Sequence, residues 1–453
     1  MNSDRATTHL LNRLSLGIRP GDLQRLQQTG PSAYLQAQLY PAGLAEPPQL
    51  TQALGRLTTV KMSPIERSEY VSADNLSDEA SQQRLRQIDR ETVYARLLRA
   101  IYSPKALQEV MVNFWFNHFN LFADMTRVRL WLGDYEETAI RPHALGNFRD
   151  LLGATANHPA MLVYLDNWRN AAPGRPGSRG RFSGLNENYA RELMELHTLG
   201  VNGGYTQADV VALARIFTGW TIAEQRQQSR DGRGFQFRQD RHDTGTKQFL
   251  GQTIAASGQD EGERALDILA SHRSTAWHIS YKLVQYFVAD SPREQLVKRV
   301  AQRFHQSNGD IPTVLQALFE SDDFQTSEGA KFRTPYEYLM AVMRAMSPAQ
   351  LPNDELHAVA GQLDEMGMKL YGNPSPDGYA NVRSAWLNPD AMMRRISGAI
   401  ALHLRHPAPH PTADQLLATL GPSISDTTRQ AIRRGPADRQ APMVLGSPDM
   451  MYR

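Results

Sequence analysis

A mainly α fold, a multi-helical globular body with one small β-hairpin near residues 234–251, is what this sequence predicts, and three observations predict it. Apolar residues recur at helical spacing through most of the chain. Helix start and stop residues bracket those stretches. Alternating apolar and polar runs that would mark strands are confined almost to one place, Phe235 to Leu250.

Three short helices open the chain. The first runs from His9 to Leu16 and stops at Gly17. Pro20-Gly21-Asp22 starts a second through Leu23 to Gln28, stopped by Gly30. Ser32 starts a third with Leu35 and Leu39 on its apolar side. Residues 58–92 are polar with mixed charge and read as an exposed helical excursion. From Thr92 the pattern turns apolar through Leu97, Leu98, Ile101, Leu107, Val110 and Met111. A Gly-, Pro- and Arg-rich loop occupies about 170–184, and helix resumes from Asn186 to Phe217. Thr206-x-x-Asp209 has the form of a capping box. Phe235 to Arg238 alternates and pairs, in this reading, with Gln248 to Leu250 across His-Asp-Thr-Gly-Thr-Lys. Residues 261–347 are helical, with Trp277, Tyr281, Leu283, Val284 and Phe287 forming a broad apolar face. Asn373-Pro-Ser-Pro-Asp-Gly-Tyr379 interrupts before a last clear helix at Asp390 to Leu404. No repeat of solenoid length occurs, and the expected organisation is a single helical domain over 1–453.

Composition narrows the function classes. The 453 residues are 41% hydrophobic and 21% charged, which is a globular composition. The 49 basic and 47 acidic side chains leave a formal charge of +2, so no concentrated basic face points to nucleic acid. Cysteine is absent, which removes disulfides, thiolate metal sites and thiol nucleophiles and leans toward an extracytoplasmic life. No apolar run has the length of a membrane span. Met-Asn-Ser-Asp-Arg-Ala-Thr-Thr-His9 has no basic segment followed by an apolar one, so no signal peptide is read and a cytoplasmic location is not excluded. A trimmed leader leaves the same start.

Four constellations carry chemistry. In Val112-Asn-Phe-Trp-Phe-Asn-His-Phe-Asn-Leu121, Asn113 and Asn117 are i,i+4 neighbours, and Trp115 and His118 are i,i+3. An unpartnered buried amide costs about 1–3 kcal/mol. So much polarity among aromatic residues therefore means either a satisfied network bracing a neighbouring helix or a cleft that holds substrate. In Asn186-Glu-Asn-Tyr-Ala-Arg-Glu-Leu-Met-Glu-Leu-His197, Glu187, Arg191 and Glu195 share one stripe, and Glu192 stands beside Glu195 at i,i+3. A solvated ion-pair ladder explains Glu187 and Arg191. It explains Glu192, Glu195 and His197 less well, because they are packed among Tyr189, Leu193, Met194 and Leu196. Glu195 and His197 are two apart and face apart, unlike a metal-binding pair, so neither metal nor cofactor is expected. His242-Asp243 sits at the expected hairpin turn, where turn chemistry is the plain explanation. Tyr371, Tyr379 and Trp386 supply aromatic surfaces around Asp377.

Taken together, Leu185 to Trp220, Asn113-Phe-Trp-Phe-Asn-His-Phe119 before it and Arg241-His-Asp-Thr-Gly-Thr-Lys-Gln-Phe-Leu-Gly251 after it resemble the bacterial family known as domain of unknown function 1800. His9-Leu-Leu-Asn-Arg13, Lys331-Phe-Arg-Thr-Pro335, Ser375-Pro-Asp-Gly-Tyr379 and the closing Val444 to Arg453 are similar to it as well, so the resemblance spans essentially the whole chain. It implies a periplasmic or secreted setting and a sulfatase-like companion protein. The family supplies no catalytic residues to carry over.

Residue chemistry then points to a glycan-active enzyme of the cell envelope or extracellular space. Glu192 and Glu195 would supply acid and base, with His118, His197, His242 and Asp243 as further catalytic candidates. Asn113, Trp115, Asn117, Glu187, Asn188, Arg191, Asp377, Tyr379 and Trp386 would bind a carbohydrate polymer, and either Asp243 or Asp377 would be a facing second acid. Hydrolysis is favoured over a lyase reaction, which would use His118 or His197 as base with Arg169, Arg175, Arg179 and Arg181 near uronate carboxylates. The second hypothesis is a non-catalytic protein that binds substrate or scaffolds a sulfatase-like partner. The polar groups embedded in apolar helices, His118, Asn117, Glu192, Glu195 and His242, are expected to converge on one cleft.

Overall fold

Glycine and proline punctuation sets the first three helices, Ser3–Leu14, Asp22–Thr29 and Pro31–Leu39, with Gly30 ending one and Pro31 opening the next. The computed structural model describes residues 3–72, 77–175, 185–223, 232–405 and 410–453. Among them the chain forms 24 α-helices and two small antiparallel two-stranded sheets, so the fold is mainly α. Buried apolar side chains from Leu10 to Met451 join in one contiguous core. No described helix is long and apolar enough to cross a membrane.

Residues 58–92 are helical, in Pro64–Ser72 and the first half of Asp78–Tyr102, but less exposed than their polarity led us to expect. Arg67 is fully buried and donates to the carbonyls of Val60, Met62 and Leu130. Glu91 accepts from the Thr59 N–H and hydroxyl. Arg67 and Glu91 thus find partners within the segment or on the neighbouring Thr126–Asp134 helix, which is what allows their burial.

The Ala106–His118 helix is apolar almost all round and lies in the core. Its Trp115 is fully buried and donates Nε1–H to the Ala144 carbonyl. Beside it runs a buried ionic network. Arg96 bonds Glu136 at 2.7 Å and the Asn113 Oδ1 at 2.8 Å, and Arg141 bonds Glu109 and Glu136. Glu136 lies in a π-helical turn, Tyr135–Ile140, and also accepts from the Tyr371 hydroxyl.

The expected single hairpin is two. Phe235–Phe237 pairs backwards with Trp220–Ile222, and Lys247–Phe249 pairs forwards with Gln252–Ile254. The reason is local. Leu250 and Gly251 both take left-handed φ (47° and 73°), the two-residue turn whose twist matches the strands it joins. Leu-Gly lacks the Asn or Asp that signals such a turn in sequence. His242-Asp243 is therefore a connection between the two sheets and not a hairpin tip.

Candidate functional site

Three chain segments, with Thr334 and Met368, line one cleft of about 240 Å³, with Asn113, Asn117, His118, Lys282, Asp377 and Tyr379 in its wall. The Ala106–His118 helix brings its C-terminal turn. The Arg273–Phe287 helix brings Lys282, with His278 one turn away and outside the lining. The 373–381 loop brings Asp377, and the Asn188–Glu192 helix with its π-helical extension Leu193–His197 approaches from the side.

The loop is fastened to the helix by asparagines. Asn117 donates Nδ2–H to the Tyr379 carbonyl and accepts the Tyr379 N–H on Oδ1. Asn120 donates to the carbonyls of Asn373 and Ser375, and the Tyr164 hydroxyl donates to that of Pro374. Gly378 has φ 76°, and a Cβ there would stand 2.2 Å from the Asn117 carbonyl oxygen, so only glycine fits. At the far end Lys331 donates to the Asn381 carbonyl, so Lys331-Phe-Arg-Thr-Pro335 also anchors this loop. These asparagines, expected to hold substrate, spend their bonds on the scaffold: Asn113 is held by Arg96 and Asn117 by Tyr379.

The Asn188–Glu192 helix lacks a side-chain cap on Glu187, but Asn186 Oδ1 accepts the Asn188 N–H and does the equivalent job. At the other end Gly200, φ 82°, donates its N–H back to the Met194 carbonyl. The intervening π-helical turn is a geometry found often at functional sites. It places His197 inside the core and leaves Glu195 half-buried.

Three histidines feel the charge of Lys282. The ring of His118 lies 6.0 Å from that of His197 and 6.2 Å from that of His278. His118 Nε2 donates to the His197 carbonyl and His278 Nε2 to the Leu196 carbonyl, which fixes both tautomers. His118 Nδ1 and His197 Nε2 are buried with no hydrogen-bond partner. Burial, together with the nearby Lys282 charge, holds all three rings neutral, with His118 far below its ordinary range, His197 at about 3 and His278 at about 4. Burial lowers Lys282 to about 8, against the opposing pull of Asp377. Among the described residues Lys282 has no ion pair within 4.0 Å, Asp377 included, so its charge is uncompensated by contact.

Glu192 sits beside Asp377. Burial, then the charges of Glu195 and Asp377, push its carboxyl above the ordinary range, while Arg191 pulls down. Tyr164, raised to about 12 by burial and then by Glu192, also feels Asp377, which puts all three in one neighbourhood. Asp377 itself is exposed. Glu187, Arg191 and Glu195 form the surface ladder that their spacing allows, with Arg191 bonding Glu187 at 3.1 Å and Glu195 at 3.5 Å. Asn188 is exposed and donates to the Leu165 carbonyl.

Of the residues expected to converge, His118 and Asn117 line the cleft with Asp377, whereas Glu192 and Glu195 are outside its lining and Glu192 is linked to it through the charge of Asp377. Convergence fails for His242. That ring is fully buried elsewhere, between the Thr218 carbonyl and the Glu261 carboxylate, with Lys247 bonding the second Glu261 oxygen at 2.5 Å. Asp243 stands next to it, clasped by Arg215. Burial opposes its ionisation, yet the Arg215 fork and the Gly245 N–H hold it at about 2. His242, Lys247 and Glu261 form a buried polar bolt between the sheet region and the Gln259–Ser271 helix, with Asp243 half-buried beside it. Trp115 and Trp386 are also buried, Trp386 donating to the Ala380 carbonyl, so neither offers a stacking face to the cleft. Arg169 packs on Trp168, and Arg179 and Arg181 lie outside the described residues.

The sequence reading missed Lys282 and His278. Both sit on a helix that was read only for its apolar face. The signal was a lysine and a histidine four apart within that face. Two of the aromatic residues assigned to the core, Trp277 and Tyr281, are each 39% exposed.

No curated protein and no solved structure matches the chain. A family model described as Protein of unknown function (DUF1800) matches residues 9–452. The chain belongs to the DUF1800 family.

Proposed function

We propose that the chain is a glycan-active enzyme of the cell envelope or extracellular space that hydrolyses a polysaccharide with two carboxyl groups. The observation that carries this reading is the pairing of Glu192 with Asp377. One carboxyl is half-buried and held above its ordinary range, and the other is exposed nearby. Separated environments of this kind divide acid from base. Glu192 protonates the departing glycosidic oxygen as its bond to the sugar breaks, and Asp377 takes a proton from the water that replaces it. Asp377 thus takes the place first given to Glu195, which Arg191 occupies. A lyase reaction is less favoured, since the His118 and His197 rings are buried.

The test is incubation of the purified protein with a polysaccharide panel, read by reducing ends and by thermal shift. New reducing ends that disappear in Glu192→Gln support the reading. Ligand-induced stabilisation without product from any polymer overturns catalysis. It would favour a non-catalytic binding protein working beside a sulfatase-like partner, a role for which the exposed Trp277 and Tyr281, one turn apart, are suited.

A further inference from the structure

The cleft contains one feature that carboxylate catalysis does not use. Among the described residues, Lys282 and Asp377 are the only charged side chains in its lining once His118 is held neutral. The Lys282 amine makes no hydrogen bond and no ion pair among the described residues. Three other basic side chains packed nearby do have partners in reach. Lys331 bonds Asp290 and Asn381, Arg96 bonds Glu136, and Arg453 bonds Glu337. The groups that feel the charge of Lys282 are three imidazoles that carry no negative charge and one aspartate outside contact distance.

We propose that Lys282 is the subsite for an anionic substituent of the substrate, a carboxylate or a sulfate ester on one sugar ring of an acidic glycan. This rests on the reading that the cleft takes a glycan. A half-buried ammonium without a counter-ion gains more from an incoming anion than one already paired, because no existing ion pair is broken. The cleft, at about 240 Å³, is smaller than sites for drug-sized ligands, so it accepts a single ring or its substituent. Asp377 is exposed, and its charge is screened by solvent more than that of the half-buried amine.

The experiment uses the full chain with free glucuronate, glucose 6-sulfate, glucose, acetate and inorganic sulfate, read by calorimetry and thermal shift. Glucuronate or glucose 6-sulfate should bind, with roughly 10–100-fold weaker binding in Lys282→Met and partial recovery in Lys282→Arg. The stronger of the two sugars identifies the substituent. In the unaltered protein, NMR of the Lys282 amine should show its titration moving up from about 8 when the anion binds, a readout that does not depend on a variant folding. Binding of acetate or sulfate at Lys282 without any sugar would keep the anion site and remove the glycan reading. Equal binding of glucose and glucuronate, unchanged in Lys282→Met, would remove the anion site and keep the glycan reading. An amine whose titration no ligand moves overturns the proposal.

Discussion

The side-chain amide of Asn117 and the backbone of Tyr379 bond each other twice, Nδ2 to the carbonyl at 2.9 Å and the N–H to Oδ1 at 2.8 Å. One asparagine therefore does for the 373–381 loop what a strand partner would do, and it places Asp377 over the end of a core helix. Asn117→Leu keeps the volume and leaves both backbone groups unpaired, at about 1–3 kcal/mol for each that water does not reach. The expected outcome is faster amide exchange across 373–381 and loss of turnover. Gly378→Ala should do the same, since its Cβ meets the Asn117 carbonyl. Unchanged exchange in both variants would show that the loop is held elsewhere.

Glu192→Gln and Asp377→Asn should each reduce turnover by roughly 10²–10⁴-fold while leaving the melting temperature nearly unchanged, because an amide keeps shape but can neither supply an acidic proton nor act as a base. Glu195→Gln should behave differently. Glu195 is bound to Arg191 and acts on Glu192 only through its charge. Removing that charge lowers the Glu192 titration, so the alkaline limb of the pH–rate profile should move to lower pH with the maximal rate largely kept. Loss of all activity in Glu195→Gln would return it to the chemistry and displace Asp377.

How much of this was legible depended on whether a signal was local. Thr206 and Asp209 form the capping box that their spacing announces. The ladder through Glu187, Arg191 and Glu195 also follows from one helix, and so did the helical class. The pairing of strands did not, because Leu250-Gly251 reaches a turn geometry that Leu does not advertise. The site was half legible. Asn117 and His118 stood out as polar groups in an apolar helix, but that logic cannot separate a group aimed at substrate from one aimed at another part of the fold. His242 satisfies the same logic and is spent on Glu261. Lys282 was hidden for the opposite reason. Lysines are common on helix surfaces, and only the buried rings of His118, His197 and His278 that feel its charge make this one unusual.

The His242, Glu261 and Lys247 cluster should prove structural. All three side chains are essentially fully buried, and burial of Glu261 is opposed by the bonds from Lys247 and His242, which leave its carboxyl below the ordinary range. Removing one member strands the others in the core, at about 3–5 kcal/mol. His242→Ala and Lys247→Met should lower the unfolding midpoint sharply while activity per folded molecule holds. Intact stability with lost activity would bring His242 back as a catalytic residue.

The three histidines that feel the charge of Lys282 set the response to acid. Each is neutral in the folded protein, with His197 at about 3 and His278 at about 4, against an ordinary value near 6.5. As pH falls below 6.5 the unfolded chain binds protons that the native rings refuse. Their contribution to stability is therefore complete above 6.5 and is lost progressively down to about 3 to 4. One pKa unit corresponds to about 1.4 kcal/mol, so between pH 6.5 and 4 the loss is on the order of a few kcal/mol for each fully buried ring. Lys282 works in the opposite range. Its amine, lowered to about 8 from 10.5, makes the unfolded state the better proton binder between those values, so stability rises with pH across that window. Urea midpoints measured from pH 4 to 10.5 should climb in two steps, one below neutrality and one above 8. His197→Asn should flatten the first step and Lys282→Met the second, because each replaces a titrating group by one that does not titrate. If His197→Asn leaves the acid step at full height, the ring is accessible enough to protonate in the native state and its burial is not what sets the acid limit.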